Sequence, residues 1–407
     1  MSGEDRDLTR GKPRVLIAGG GIGGLSAALA LLQRGFEVDV YEQAAKLEEV
    51  GAGVQLSPNG TRALHVLGVL DALETLSCTA EGKEVRHWNT GDTWKLFDLG
   101  VEAIERYGFP YLTVWRPDLL ETLAAAVRRE KPNAIHLGSR CVGFTRAGER
   151  VSLLLDDGRQ VSGDVLVGAD GVHSQIRRAL FGAEEPRFSG MIAWRGVIPI
   201  GSLPRHMARI VGTNWVGPGG HVVHYPLHRG ELMNFVGIAE RGDWRIESWS
   251  TRGSTEECRE DFAGWHDDVH QLIRHAPSLY KWALMVREPM ERWTIGRVTL
   301  LGDACHPTLP MLAQGAVMAI EDGFILARCF ERWPDDVATA LDRYERARSE
   351  RTRAIVLGSA DNARRFHNPA LADPVGAKEY LDREWSRAAI TSRYEWLFNY
   401  DVVGAEI

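Results

Sequence analysis

An α/β fold with a second, mainly antiparallel β region and C-terminal helices is predicted by three features of this 407-residue sequence. Residues 14–42 run strand, glycine turn, helix, strand within the length of one βαβ unit. Two later apolar strands, around 164–168 and 297–302, each end at a Gly and an acidic residue. Residues 185–285 instead carry short alternating strands between Gly and Pro turns, the pattern of antiparallel sheet.

The first unit is Rossmann-like. Val15 to Ala18 form an apolar strand, and Gly19-x-Gly21-x-x-Gly24 follows. Leu25, Ala28, Leu29 and Leu32 then recur at helical spacing, Gly35 ends the helix, and Val38 to Tyr41 form the next strand. The glycines serve a tight turn, backbone approach to a pyrophosphate, and close helix–strand packing. The phosphates would rest on N–H groups at the helix N-terminus, where the dipole favours negative charge. Glu42 ends the second strand, placed to bond a ribose hydroxyl. Lys12 and Arg14 before an apolar stretch resemble a secretory leader, but the dense glycines and the lack of a small-residue cleavage site oppose that reading.

Composition sets the bounds. A chain of this length implies about two or three domains. Its 44% hydrophobic and 25% charged residues suit a globular protein. A net charge of -7 without a dense Lys/Arg block argues against nucleic acid as a partner. No apolar run is long enough to span a bilayer, so no membrane partner is expected. Cys78, Cys141, Cys258, Cys305 and Cys329 are scattered, with no CxxC pair, so neither a disulfide framework nor a metal site is indicated. A reducing cytoplasm is the expected compartment.

Further along, residues 1–12 read as a frayed polar tail. Residues 50–59 are punctuated by Gly51 and Gly53, small enough to let a planar ring lie against backbone, or simply a loop. A helix through Ala63, Leu64, Leu67 and Leu70 follows. Pro117 suits the first turn of a helix over Leu119 to Arg129, and Arg116 just before it would face any phosphate nearby, or water. Residues 136–167 read as a β-meander with turns at 146–149 and 156–159. A strand, sharp turn and helix over 164–177 come next. The antiparallel region closes with a helix over Glu256 to His275, and the strand ending at Asp303 leads into a helix over Ala316 to Phe330.

Three separated motifs then line up: GGGIGG with Glu42, GADGVHSQIR at 168–177, and LLGDACHPTLPMLAQGAVMAIEDG at 300–323. Together they resemble the single-component flavoprotein aromatic hydroxylases, the family of p-hydroxybenzoate, salicylate, 3-hydroxybenzoate and 6-hydroxynicotinate monooxygenases. The resemblance covers residues 13 to 360. It implies a discontinuous FAD-binding domain (13–78, 107–184, 286–360), a substrate domain (79–106, 185–285) and a C-terminal helical segment (361–407). It implies FAD as cofactor, with Gly19, Gly21, Gly24 and Glu42 at its adenosine and pyrophosphate. Gly53 and Val54 would lie near the ring, and Arg116, Asp170 and Asp303 would contact the cofactor. Gln314, Gly315 and Ala316 would start the helix that receives the flavin pyrimidine edge. NADH or NADPH would be a transient co-substrate, since only one GxGxxG is present. Gln43 stands where many members carry Arg, and Cys305 where Ala is commoner.

The chemistry that the resemblance implies is hydroxylation of a phenolic aromatic acid with O2, through a flavin hydroperoxide. It requires exclusion of water and a base for the phenol proton. On a strand, His221, Val223 and Tyr225 share one face and His224 the other. The family's His-x-x-x-Tyr pair matches here, making His221 the base and Tyr225 its companion. Pro310 matches a proline whose carbonyl lies near the oxygen-transfer site, or else it turns the loop. Met311 replaces a histidine of the 6-hydroxynicotinate enzymes and Pro310 a glutamine of a 3-hydroxybenzoate enzyme, which favours salicylate or a related hydroxybenzoate. His306 reads as a cap or packing residue, and Arg195 as a contact for a substrate carboxylate or a backbone carbonyl. The alternatives are an oxidase or reductase on the same scaffold, a decarboxylating 6-hydroxynicotinate-type hydroxylase, and a nucleotide-binding protein without catalysis. Oligomeric state stays open, a homodimer being one option.

Overall fold

A computed structural model describes residues 11–47, 53–242 and 251–407. Gly51 and most of the polar tail lie outside the described residues.

A six-stranded sheet runs, from edge to edge, through Thr294–Ile295, Val298–Leu300, Val165–Gly168, Arg14–Ala18, Glu37–Tyr41 and Ile135–His136. All pairings are parallel except the edge strand Thr294–Ile295. Val15 to Ala18 have no exposed surface, as expected of a central parallel strand covered on both faces. The helix Ile22–Leu32 packs against the helix Gly315–Arg332. Their backbones touch: a Cβ on Gly323 would lie 2.6 Å from the nitrogen of Ala27. The meander is a separate three-stranded sheet of Cys141–Ala147, Arg150–Leu155 and Gln160–Gly163.

An eight-stranded sheet takes Gly82–His87 and Thr93–Asp98 together with Val211–Gly217, Gly220–Leu227, Leu232–Glu240, Arg187–Pro199, Leu279–Val286 and Arg252–Gly253. Its pairs are antiparallel except where Val211–Gly217 runs parallel to Gly82–His87. The C-terminal helices Val337–Phe366, Pro374–Glu384 and Arg387–Phe398 contribute to the apolar cluster beside it. Phe97 meets Tyr394 edge-on at 5.1 Å, and Tyr111 meets Phe398.

Two predicted helices are each broken by a glycine. The helix expected over 256–275 is two, Thr255–Asp261 and Asp267–His275. Gly264 adopts φ +79 between them, and the His266 ring caps the second by accepting from the Asp268 N–H. The helix expected through Leu70 stops at Val66, because Gly68 adopts φ +72. Among the described residues, no helix is long and apolar enough to cross a membrane.

Candidate active site

Strand register brings the three motifs together. Ala18 pairs with Gly168, and Gly168 with Leu300, so the chains beyond them leave the sheet side by side at its carboxyl edge. Open α/β sheets bind ligands at that edge. The seam is stitched by Ala169 N–H to Ala18 O at 2.8 Å and Leu301 N–H to Gly168 O at 2.9 Å. Arg177 ties the second and third motifs, donating to the carbonyls of Val172 and Ala304.

The glycines divide into two kinds. Gly24 is needed for packing, since a Cβ there would stand 2.0 Å from Gly19 O. Gly21 has no atom within 4 Å of where its Cβ would be, so the turn opens onto space beside the N-terminus of Ile22–Leu32. That helix has no side-chain cap and no acidic residue in its first turn. The helix Gly315–Arg332 starts the same way, just after Ala313 at φ 54. Two uncapped N-termini flanking the motifs suit the pyrophosphate and the electron-rich flavin edge of FAD.

Glu42 accepts from the N–H groups of Gly20 (2.7 Å) and Ala44 (2.8 Å), which fixes its carboxylate beside the glycine turn. Asp170 caps the helix Gln175–Phe181, accepting from the N–H groups of Gln175 and Ile176 and from the Ser174 hydroxyl. Asp170 therefore shapes the loop with its carboxylate. Asp303 has exposed surface, yet protein surrounds it closely enough that desolvation raises its carboxyl despite the nearby charges of His306 and Arg116. Gln314 is buried and turned inward, donating to Ser57 Oγ at 2.8 Å and accepting from Asn59 Nδ2, so the partly exposed residues at this helix start are Gly315 and Ala316. Val54 pairs with Val114, one step before Trp115 and Arg116. At Gly53 the room for a side chain is filled by protein: a Cβ would meet Tyr225 at 2.6 Å and Asn234 at 2.8 Å. Gly53, at the start of the strand Gly53–Leu56, is thus seated against the eight-stranded sheet, with its N–H on Asn234 Oδ1 at 3.0 Å.

One face of the eight-stranded sheet gathers His221, Val223 and Tyr225, opposite Ile238, Val236 and Asn234 on the next strand. His224 faces the other way, among Arg86, Thr213 and Asp268, where burial pulls it down to about 4. His221 has 1% exposure, and burial, reinforced by charge on the His367 ring whenever that ring is protonated, holds it well below the usual imidazole range. Its Nδ1 lies 2.7 Å from Nε2 of His367. Burial raises the Tyr225 phenol, which bonds Gln55, with the Arg195 guanidinium near enough to oppose the shift. Arg195 itself lies over the rings of Trp282 (5.3 Å) and Tyr280 (5.9 Å). Pro310 is exposed and opens a tight turn in which its carbonyl accepts from Ala313 N–H. Turning the loop is its visible role.

Sequence reasoning missed Lys83. Its register partner Gly212 precedes Thr213, the partner of His224, so continuing the register by one step puts Lys83 level with Tyr225. The amine donates to Gln55 Oε1 at 3.2 Å and sits 5.9 Å from the Tyr111 ring centre. Lys83 keeps some accessible surface, yet burial brings its amine down to about 8. No carboxylate is bonded to it among the described residues.

A family profile described as an FAD binding domain matches residues 12–359. The chain is 38% identical over 391 residues to the 3-amino-4-hydroxybenzoate 2-monooxygenase PtnB3 of Streptomyces platensis, covering 96% of each. It is 37% identical to the 6-hydroxynicotinate 3-monooxygenase of Pseudomonas fluorescens, over 86% of this chain and 91% of that one. Among solved structures, it is similar to HpxO of Klebsiella pneumoniae complexed with FAD and uric acid, with a TM-score of 0.81 and 28% identity over 96% of this chain and 97% of that chain.

Proposed function

This chain belongs to the FAD-binding-domain family and is an FAD-dependent aromatic monooxygenase, and from that premise we propose that it hydroxylates a phenolic aromatic acid of the hydroxybenzoate type. The observation that carries the substrate class is Lys83. A half-buried amine without a carboxylate partner among the described residues, on the same side of the sheet as Tyr225, calls for an anion from outside. An aromatic carboxylate supplies it. The relatives named for 3-amino-4-hydroxybenzoate and 6-hydroxynicotinate support the same class.

In this reading the carboxylate is held by Lys83, which Gln55 orients. The aromatic ring then lies along the sheet face of Val223 and Tyr225 towards His221. FAD, when bound, carries electrons from NAD(P)H and activates O2. Glu42, Asp303 with Arg116, and the amides at Gly21 and Gly315 would hold it. In this reading His221 takes the phenol proton on Nε2: burial keeps it neutral, and its Nδ1 is engaged by His367. A deprotonated phenol is the more electron-rich ring, which favours electrophilic attack. Apolar residues of the C-terminal helices, with Phe366 against the His221 ring at 5.0 Å, would serve to keep water from the reaction.

The test is NADH and NADPH oxidation by the FAD-loaded enzyme against a panel of aromatic acids, led by 3-amino-4-hydroxybenzoate, 3-hydroxybenzoate and salicylate. Stimulated oxidation with a hydroxylated product is expected. Stimulation by uncharged phenols alone, or peroxide in full stoichiometry without hydroxylated product, refutes the reading.

A further inference from the structure

A base with 1% exposure has no direct access to bulk water. If His221 accepts the phenol proton, its imidazolium is stranded beside a second histidine in a site where burial already disfavours charge. The chain provides a way out. His221 Nδ1 lies 2.7 Å from His367 Nε2, and His367 Nδ1 lies 2.9 Å from Glu240 Oε1. The His367 side chain is 2% exposed and that of Glu240 57%, so the bonds run from the sealed site to the surface.

We propose that His221, His367 and Glu240 form a proton conduit between the substrate hydroxyl and solvent, with His367 and Glu240 as positioning and transfer residues for the reaction. This rests on reading His221 as the base. Written for His221 and His367 each carrying a single ring proton, on Nδ1, the step balances. The phenol O–H breaks as its proton bonds His221 Nε2. His221 Nδ1–H passes to His367 Nε2, and His367 Nδ1–H to the Glu240 carboxylate, which releases it to water. One proton leaves, one phenolate is formed, and no redox change occurs. Each ring ends in its other tautomer. Returning a proton to the product oxygen reverses the series and resets both rings.

The backbone holds the conduit in register. Gly219, at φ +70 in the hairpin turn, donates its N–H to His367 O at 3.2 Å and accepts from Glu240 N–H at 2.8 Å. One residue thus fixes both outer members against each other. His367 is also held by its N–H on Ala363 O at 3.0 Å, at the end of the helix Val337–Phe366. Around the His221 ring stand Phe366 from that helix and Val216 and Ile238 from the neighbouring strands. Of the groups that face it, His367 is the titratable one. The His367 contact is also the leading reason that the Glu240 carboxyl lies below its usual range, so the acceptor is ionised and ready near neutrality.

The experiment follows substrate ionisation itself. The FAD-loaded enzyme is mixed with 4-hydroxy-3-nitrobenzoate, whose phenolate absorbs visible light, at a pH where the free phenol is mostly protonated. The rate of phenolate appearance is read by stopped flow. Glu240→Gln keeps an acceptor for His367 but cannot take the proton, and His367→Gln removes a transfer site. Both should slow ionisation by roughly 10- to 100-fold, less than the 10²–10⁴ typical of losing a general base. Probe affinity should stay within about twofold, since neither side chain holds the ring. His221→Ala separates the two readings. If it ionises the probe at the wild-type rate, the base assignment fails. If it blocks ionisation while Glu240→Gln and His367→Gln do not, the conduit alone is overturned. Should His367→Gln fold poorly, Glu240→Gln decides. Loss of probe affinity in Glu240→Gln with an unchanged ionisation rate reduces the pair to a structural tie and overturns the proposal.

Discussion

Arg348 Nε donates to Asp322 Oδ1 at 2.7 Å, and neither side chain has any exposed surface. The other oxygen of Asp322 accepts from the Gly302 N–H at 3.1 Å and pairs with His306 Nε2 at 2.6 Å. Arg348 also donates to Glu321, which in turn accepts from Asn59 and Arg351. The helix Gly315–Arg332 therefore grips the turn that presents Asp303, and the long helix behind it supplies the charge that makes this possible. His306, expected to cap or pack, does so as the charged partner of a buried carboxylate.

Removing Arg348 should be costly. Arg348→Met leaves Glu321 and Asp322 buried with less compensation, and loss of one partner of a buried pair typically costs about 3–5 kcal/mol. Urea unfolding of the FAD-free protein should show that loss. A change below about 1 kcal/mol would mean that Arg351 and His306 suffice.

The same network sets a pH dependence of stability. Burial would lower His306, but the Asp322 carboxylate bonded to its Nε2 holds it well above its ordinary value. Its stabilisation is therefore complete below the unfolded imidazole value and is lost as pH rises through the raised one. Burial would raise Asp322, but His306 and Arg348 pull it down to about 2. Its contribution is present above the unfolded 3.8 and is lost as pH falls towards about 2. Urea midpoints should decline on both sides. In His306→Gln the alkaline decline should disappear, and an unchanged alkaline slope would remove His306 as its source.

The cofactor cradle is tested by two glycines with opposite surroundings. Gly21→Ala adds a methyl into open space, so the protein should fold normally but hold FAD less tightly. Gly24→Ala drives a methyl to 2.0 Å from Gly19 O, so folding itself should suffer. Bound flavin absorbance and the thermal midpoint of the FAD-free protein separate the effects. Equal behaviour of the two variants would contradict the division.

The sequence made the cradle legible because each part is local: strand, glycine turn and helix are adjacent, and an in-register sheet then joins three such units at one edge. His221 and Tyr225 could be assigned to one face from strand periodicity alone. The rest depends on distant contacts. His367 lies 146 residues from His221 and reads only as a polar residue at a helix end. Arg348, Glu321 and Asp322 look like ordinary charges on long helices until two helices bury them. The break at Gly264 was hidden because the apolar spacing of both flanking helices continues across it.

Lys83 carries the most direct test of substrate class. Its amine, drawn to about 8 by burial, is a cation below that pH and loses its charge above it. A carboxylate ligand favours the charged form, so KM for an aromatic acid should rise as pH climbs through about 8. Lys83→Met keeps the apolar stem and removes the charge. A hydrogen bond to a charged group contributes about 1.5–3 kcal/mol, which corresponds to a KM increase of roughly 10- to 100-fold. The alkaline rise in KM should vanish in the variant, while the matching carboxamide should bind both proteins alike. If the acid and the carboxamide lose affinity equally, Lys83 acts by filling space, and the anion must be recognised elsewhere on the sheet.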